Sequence, residues 1–369
     1  MAARSKPPYR ADHVGSLIRP DALRNARKAG NLPPRELRAI EDACIREVVA
    51  LQERTGLQPV TDGEFRRITW RESFFKAVDG YSAEMVDPPF GFKLADGSIQ
   101  KGQPVPRLVG KLKRRQPMVA DDFAFLRSVT TRVPKVTLPA PAVVHFYLTD
   151  KLIDRSIYPD NRAYMADVSA IYREELAELA ARGCTYVQLD DVSLAVLCDP
   201  AFRATLAGRG ESAEENISLY IKALNDAVRG RPAGLSVCVH LCRGNTGQGI
   251  ASGGYDPITE RLFNEIEVDG FLLEYDTPRA GDFTPLRFVP KGKTVALGLV
   301  STKLREPETV DALRVRVDEA ARYLDIDQLC LCTQCGFASG FQYDRLTIED
   351  EERKLERLVE ATDRIWGNQ

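Results

Sequence analysis

Residues 164–191 read YMADVSAIYREELAELAARGCTYVQLDD. Apolar residues recur there at spacings of three and four as far as Arg182, the pattern of a helix with one buried face. Gly183 then stops the helix, because glycine accepts the left-handed backbone of a helix C-terminus. CTYVQLDD follows at once, a short apolar run that predicts a strand. A helix handed directly to a buried strand is the repeating unit of a parallel α/β fold.

The unit recurs along the chain. RELRAIEDACIREVVALQERT (35–55) is a second amphipathic helix, ending at Gly56. SAEENISLYIKALNDAVRG (212–230) is a third, followed by the strand LSVCVHL. The strands GFLLEY (270–275) and TVALGLV (294–300), the helix DALRVRVDEAARYL (311–324) and the strand QLCLC (328–332) extend the series. With HVGSL, QPVTD and PKVTLPA the strands number about eight, which predicts an α/β chain folded as a single (β/α)8 (TIM) barrel over residues 1–369. Residues 80–132 break the rhythm. Rich in Pro, Gly and charge, they predict an inserted excursion of hairpin type, whose basic stretch KGQPVPRLVGKLKRR reads as a solvated loop.

Composition narrows the function. The charge is nearly balanced, 51 basic against 53 acidic residues, which argues against nucleic acid or another polyanion as partner. No apolar run of about 18 residues is present, and MAARSKPPYRADHVGSL lacks the apolar core of a signal peptide. A soluble cytoplasmic protein with no membrane partner is expected. A disulfide framework is then unexpected for the eight cysteines. Cys44, Cys184 and Cys198 read as small core residues.

A barrel carries its chemistry at the C-terminal ends of the strands. The polar residues predicted there are Ser16, Asp62, Glu64, His145, Asp190, Asp191, His240, Cys242, Glu274, Ser301, Lys303, Cys332 and Cys335. In VCVHLCRGN (237–245), His240 and Cys242 stand two apart on an extended segment, so both side chains point the same way. Zinc takes imidazole nitrogen and thiolate sulfur together. Glu274 and Cys335, at the ends of later strands, can converge on the same point. A polar histidine beside a core cysteine would explain neither Glu274 nor the TQCG that follows the last strand. Cys332 and Cys335 form a C-x-x-C, but a redox pair belongs at a helix start after the first strand of a small βαβ domain. A zinc knuckle would cluster its ligands within tens of residues, not from 240 to 335. A metal-free decarboxylase or aldolase using Asp190 and Lys303 stays open. Of Cys330 and Cys332, at least one should be buried.

VTDGEFRR, VQLDD, VHLCRGN, FLLEYD, ALGLVSTK and TQCGFAS, in this order and over nearly the whole chain, resemble the catalytic half of cobalamin-independent methionine synthase. The resemblance implies a barrel of the methionine synthase and uroporphyrinogen decarboxylase type, a role in methionine biosynthesis, and Zn2+ held by His240, Cys242, Glu274 and Cys335. It further implies that Ser16, Glu64 and Asp190 hold the amino-acid part of homocysteine, the small thiol substrate. Such a site suits the chemistry: a free thiol, with a pKa near about 8.5, is mostly protonated at neutral pH, and zinc removes that proton. Glu274, the hardest of the four donors, is the one most easily displaced.

Departures from the family pattern bear on the methyl donor. Where the family places a histidine after the seventh strand, GLVSTK offers Lys303 as the catalytic candidate. The chain has no room for the second, N-terminal barrel of the full-length enzymes. No tryptophan lies in 80–132 for a pterin to stack on; the two present are Trp70 and Trp366. A donor other than methyltetrahydrofolate is therefore expected: a methylated corrinoid protein, another methyl-sulfur compound, or an electrophile such as an epoxide. Epoxyalkane:coenzyme M transferases are short relatives of this kind. Arg66, Arg67 and Arg71 would suit a sulfonate, although surface charge at a helix start is the plainer reading.

Overall fold

Eight parallel strands form a nearly closed barrel in the computed structural model, which describes residues 4–88, 90–93, 98–244, 251–341 and 346–367. The strands are β1 (Ala11–Asp12), β2 (Pro59–Val60), β3 (Val133–Pro139), β4 (Tyr186–Asp191), β5 (Ser236–Leu241), β6 (Gly270–Glu274), β7 (Thr294–Val300) and β8 (Leu329–Thr333). They run in the order β1-β8-β7-β6-β5-β4-β3-β2. The remaining gap, between β1 and β2, is bridged beyond the strand ends. There Thr61 Oγ1 donates to Gly15 O at 2.6 Å and Leu17 N donates to Gly63 O at 3.1 Å.

The helices predicted from periodicity are present. One spans Pro34–Arg54, and the chain turns at Gly56 with φ +93°. Another spans Asn161–Ala181, capped by the Asp160 carboxylate on Ala163 N at 2.8 Å, and the chain turns at Gly183 with φ +88°. Its buried face includes Tyr164, Met165, Val168, Ile171, Tyr172, Leu176 and Leu179. A fully buried aliphatic side chain of this kind contributes about 1.5–3 kcal/mol, so this face alone holds the helix on the barrel. Ala213–Val228 and Val310–Ala320 match the other two predicted helices, and Ile348–Trp366 is a further helix that the periodicity reading did not include.

Three expectations need correction. HVGSL is not a strand: β1 ends at Asp12, and His13–Leu17 run over the barrel mouth as a loop. Gly15 makes that path possible, with φ +124° and Thr137 Cγ2 where a Cβ would stand, 2.5 Å away. His145 does not end a strand either. β3 stops at Pro139, and Pro141 starts the helix Pro141–Leu152, a position where its missing N–H costs nothing. His145 lies inside that helix, its Nδ1 3.0 Å from the Tyr220 hydroxyl. The excursion is also shorter than 80–132. Its hairpin pairs Val78–Val86 with Val105–Arg114, and Ala120–Val129 is already the helix leading back to β3. The basic stretch is partly anchored, since Arg114 bonds Glu175 at 2.5 Å and Lys111 lies over the Tyr158 ring at 3.8 Å. Residues 89 and 94–97 of the excursion lie outside the described residues.

Inside the barrel, Tyr186, Cys238, Leu272, Ala296, Cys330 and Cys332 form a core cluster of their own. Asp12 and Lys135, both fully buried, pair at 2.7 Å, and the Tyr186 hydroxyl donates to the second Asp12 oxygen at 2.8 Å. Cys330 and Cys332 are both buried, and burial pushes their thiols up, Cys330 to about 12. Among the described residues, no helix is long and apolar enough to cross a membrane.

Candidate active site

The two-residue alternation that turns Tyr186 and Cys238 into the barrel also turns Asp190 and His240 inward, at the C-terminal ends of β4 and β5. His240 pairs in register with Asp190 on one side and Leu272 on the other. Its Nδ1 lies 3.0 Å from Leu272 O, and a carbonyl can only accept, so this nitrogen carries the proton. Nε2 is left as a bare, buried lone pair. One donor atom each from His240, Cys242 and Cys335 lies within 4.8 Å of the others. Among the described residues this is the one group of three or more such donors.

The two thiols act on each other in opposite directions. The Cys335 thiol holds Cys242 well below the usual cysteine range, against the effect of burial, and Cys335 is raised in turn. Burial works to lower the His240 pKa, but Cys242, Asp190 and Leu272 O outweigh it. An orphaned imidazole nitrogen beside two cysteine sulfurs is a donor set that fits zinc.

Glu274 sits beside this triad without being one of the three. It is completely buried, and its Oε2 accepts from Arg243 N at 2.6 Å. Its Oε1 is bonded by Arg279 and lies 3.3 Å from Lys303 Nζ. Burial opposes ionisation, yet Lys303, Arg279 and Arg243 together keep the carboxyl below its ordinary range. Lys303 also faces Asp276 at 3.9 Å.

Ser16, Glu64 and Asp190 are all buried at the same mouth. Ser16 O accepts from Phe337 N at 2.9 Å, which ties the β1 loop to the loop carrying Cys335. Glu64 has φ +62°, a left-handed conformation that a side chain adopts only at a cost. Its Oε1 accepts from Thr137 Oγ1 at 2.8 Å and meets Arg67 at 3.0 Å, while Oε2 is buried with no partner. Asp190 Oδ1 accepts from Gln188 Nε2 at 2.6 Å. Burial first, and the nearby Glu64, push Asp190 up to about 7, against the pull of His240. Two acidic side chains, one of them with a buried oxygen that has no partner, are a chemistry suited to a cation.

The other candidates have local duties. Asp62 accepts from Glu64 N at 2.9 Å, and Asp191 accepts from Leu194 N at 3.0 Å, the capping role open to either aspartate. Ser301 Oγ accepts from Lys303 N at 3.3 Å. Arg66, Arg67 and Arg71 are not surface charge, because all three side chains are largely buried. Sequence reasoning missed Gln188, Thr137 and Arg279. Gln188 carried a usable signal, standing two residues before Asp190 on the same strand face. Arg279, in a loop after β6, carried none.

Comparison with known proteins identifies the family and the fold. The family model described as "Cobalamin-independent synthase, Catalytic domain" matches residues 16–362. YxjG of Bacillus subtilis, an uncharacterised protein, is 37% identical, covering 98% of this chain and 96% of its own. A methionine synthase of Pyrococcus abyssi is 27% identical over 88% of this chain and 84% of its own. Among solved structures, a putative vitamin-B12 independent methionine synthase from Listeria monocytogenes superposes with a TM-score of 0.78 at 29% identity, covering 99% and 100% of the two chains. One from Shewanella sp. W3-18-1, solved in complex with selenomethionine, shares the fold with a TM-score of 0.75 at 22% identity over 96% and 97%. The chain belongs to the cobalamin-independent methionine synthase catalytic-domain family and is a methyltransferase of that kind.

Proposed function

We propose that the protein alkylates the sulfur of homocysteine, with zinc held by His240, Cys242 and Cys335 and with Glu274 as the fourth donor. The observation that carries this reading is the approach of the imidazole and two thiols to within 4.8 Å of one another beside buried Asp190 and Glu64. Zinc, when bound there, supplies the charge that keeps a substrate thiol ionised. The chain's own residues do the rest. Glu64 and Asp190 receive the substrate ammonium, and its approach favours the ionised form of Asp190. Ser16 offers hydroxyl and backbone to the carboxylate. The sulfur then attacks the alkyl carbon in line; the new C–S bond forms as the bond to the leaving group breaks, and the leaving group keeps that electron pair. Lys303, tied to Glu274 and Asp276, serves to position Glu274 rather than to deliver a proton.

Calorimetry of the zinc-loaded protein with homocysteine tests the acceptor. Heat with homocysteine and none with a thiol lacking the amino group is the expected result. The reverse pattern would overturn homocysteine as substrate and redirect the reading toward a coenzyme M-like thiol.

A further inference from the structure

Arg66, Arg67 and Arg71 come from one loop, yet their environments differ. Arg66 is paired with Asp42 at 2.5 Å and Asp122 at 2.8 Å. Arg67 is paired with Glu64 at 3.0 Å. Arg71 is 5% exposed and has no acidic partner among the described residues. Its Nη2 reaches only neutral acceptors, Gln103 Oε1 at 3.0 Å and Pro104 O at 3.4 Å, both supplied by the excursion. Its Nε and Nη1 are buried with no hydrogen-bond partner. The guanidinium lies over the Tyr147 ring at 4.1 Å, a stack that orients the group without neutralising it. Burial lowers its pKa, against a smaller effect of Tyr147.

A buried guanidinium with two idle donors is an unusual thing to retain, because burying a charge without a counter-charge is costly. Arginine is also the side chain best shaped to grip a planar or tetrahedral oxyanion through two parallel N–H donors, here the idle Nε and the Nη2 that now bonds Gln103 and Pro104. The loop bearing Arg71 belongs to the barrel mouth: it carries Glu64, and Trp70 N donates to Ser339 O at 3.3 Å in the loop that follows Cys335. In the proposed function both ends of homocysteine already have partners, the amine in Glu64 and Asp190 and the carboxylate in the hydroxyl and backbone of Ser16. That leaves Arg71 for the other substrate. We infer that Arg71, stacked on Tyr147, is the seat of a carboxylate, sulfonate or phosphate group on the alkyl donor, which takes the place of Gln103 and Pro104 as acceptor. The inference rests on the proposed acceptor and names the chemical class of its donor as anionic.

The test uses zinc-loaded full-length protein saturated with homocysteine at low ionic strength. Methanesulfonate, acetate and inorganic phosphate are titrated in turn by calorimetry. At least one should bind the native protein, weaken on the order of tenfold or more in Arg71→Met, and recover in part in Arg71→Lys, which keeps charge but not the fork. Homocysteine affinity should stay within about twofold in both variants, a change too small to signify a lost charge contact. Melting temperature and zinc content check that the variants are folded. If Arg71→Met does not fold, Arg71→Lys decides: anion binding weaker than in the native protein supports the site and unchanged binding overturns it. Absence of anion binding to the native protein would overturn the proposal. So would a loss of homocysteine binding in Arg71→Met, which would give Arg71 to the acceptor. Should homocysteine fail to bind even the native protein, the acceptor reading falls, and the anion titrations run without it still decide whether Arg71 is an oxyanion site.

Discussion

Ser16 and Gly336 touch so closely that a Cβ on Gly336 would stand 1.8 Å from the Ser16 hydroxyl oxygen. Gly336 follows Cys335, so the loop of β1 that carries Ser16 rests on the loop of β8 that carries Cys335. Gly336→Ala must push the two loops apart, at about 1–3 kcal/mol for forced overpacking. We expect chelator competition to show weaker zinc retention and calorimetry to show weaker homocysteine binding in the same variant. Loss of neither would mean that the loops move independently.

Metal content separates the cysteines. Cys242→Ala and Cys335→Ala should each lose most of their zinc by elemental analysis while circular dichroism stays native. Cys332→Ala, deep in the barrel bore, should keep it. Zinc retained in both of the first two variants would refute the assignment, and loss in Cys332→Ala alone would place the ligand three residues earlier.

Asp190 gives a pH signature. Its pKa near 7 means that the carboxylate needed by an ammonium is lost as pH falls through 7, so homocysteine should bind more weakly at pH 6 than at pH 8. Stability runs the other way. The folded pKa exceeds the ordinary value of about 3.9, so the native state binds the proton more tightly and loses relative stability as pH rises from about 4 to 7. Asp190→Asn should therefore melt higher than the native protein at pH 8, by an amount on the order of 1 kcal/mol, with the gap closing near pH 4. The same variant should lose about 2–3 kcal/mol of homocysteine affinity. A pH-independent affinity would remove Asp190 from the ammonium site.

Lys135 depends on Asp12. Both are fully buried, so Asp12→Ala leaves an ammonium in the barrel with His13 O, at 2.5 Å, as its one hydrogen-bond acceptor among the described residues and the Tyr186 ring 4.8 Å away. A loss of about 3–5 kcal/mol in denaturant unfolding is expected, with zinc content unchanged in the folded fraction. A change under 1 kcal/mol, roughly the value of an exposed pair, would show that water reaches this layer.

The donor can be screened directly. Methionine formation followed by mass, with homocysteine and zinc-loaded protein, should be absent with methyltetrahydrofolate triglutamate. Turnover with it at about 1 per second or faster, an ordinary enzyme rate, would sink the expectation. Lys303→Ala would then show whether the lysine had become the acid for the departing pterin.

What the sequence disclosed followed from periodicity. Helices longer than ten residues and strands buried on both faces leave patterns that one window captures, and the glycines at 56 and 183 marked helix ends. β1 and β2, two residues each, leave no pattern, so HVGSL passed for a strand although its Gly15 requires a left-handed turn. His240, Cys242 and Cys335 were legible because thiols and imidazole at strand ends are rare. Arg279 was not, since its meeting with Glu274 depends on the course of a loop. The burial of Arg71 was hidden for a similar reason: the segment that covers it comes some 30 residues later, in the excursion.

The seam between β1 and β2 gives the barrel an uneven strength. Seven neighbouring strand pairs are fastened by their own ladders, whereas the eighth junction is a clasp made by the loops that carry Ser16 and Glu64. An amino acid gripped by both residues would act as a pin through that clasp. Substrate binding should thus be felt around the whole circumference as slower opening of the barrel, and an empty site should be the place where unravelling begins.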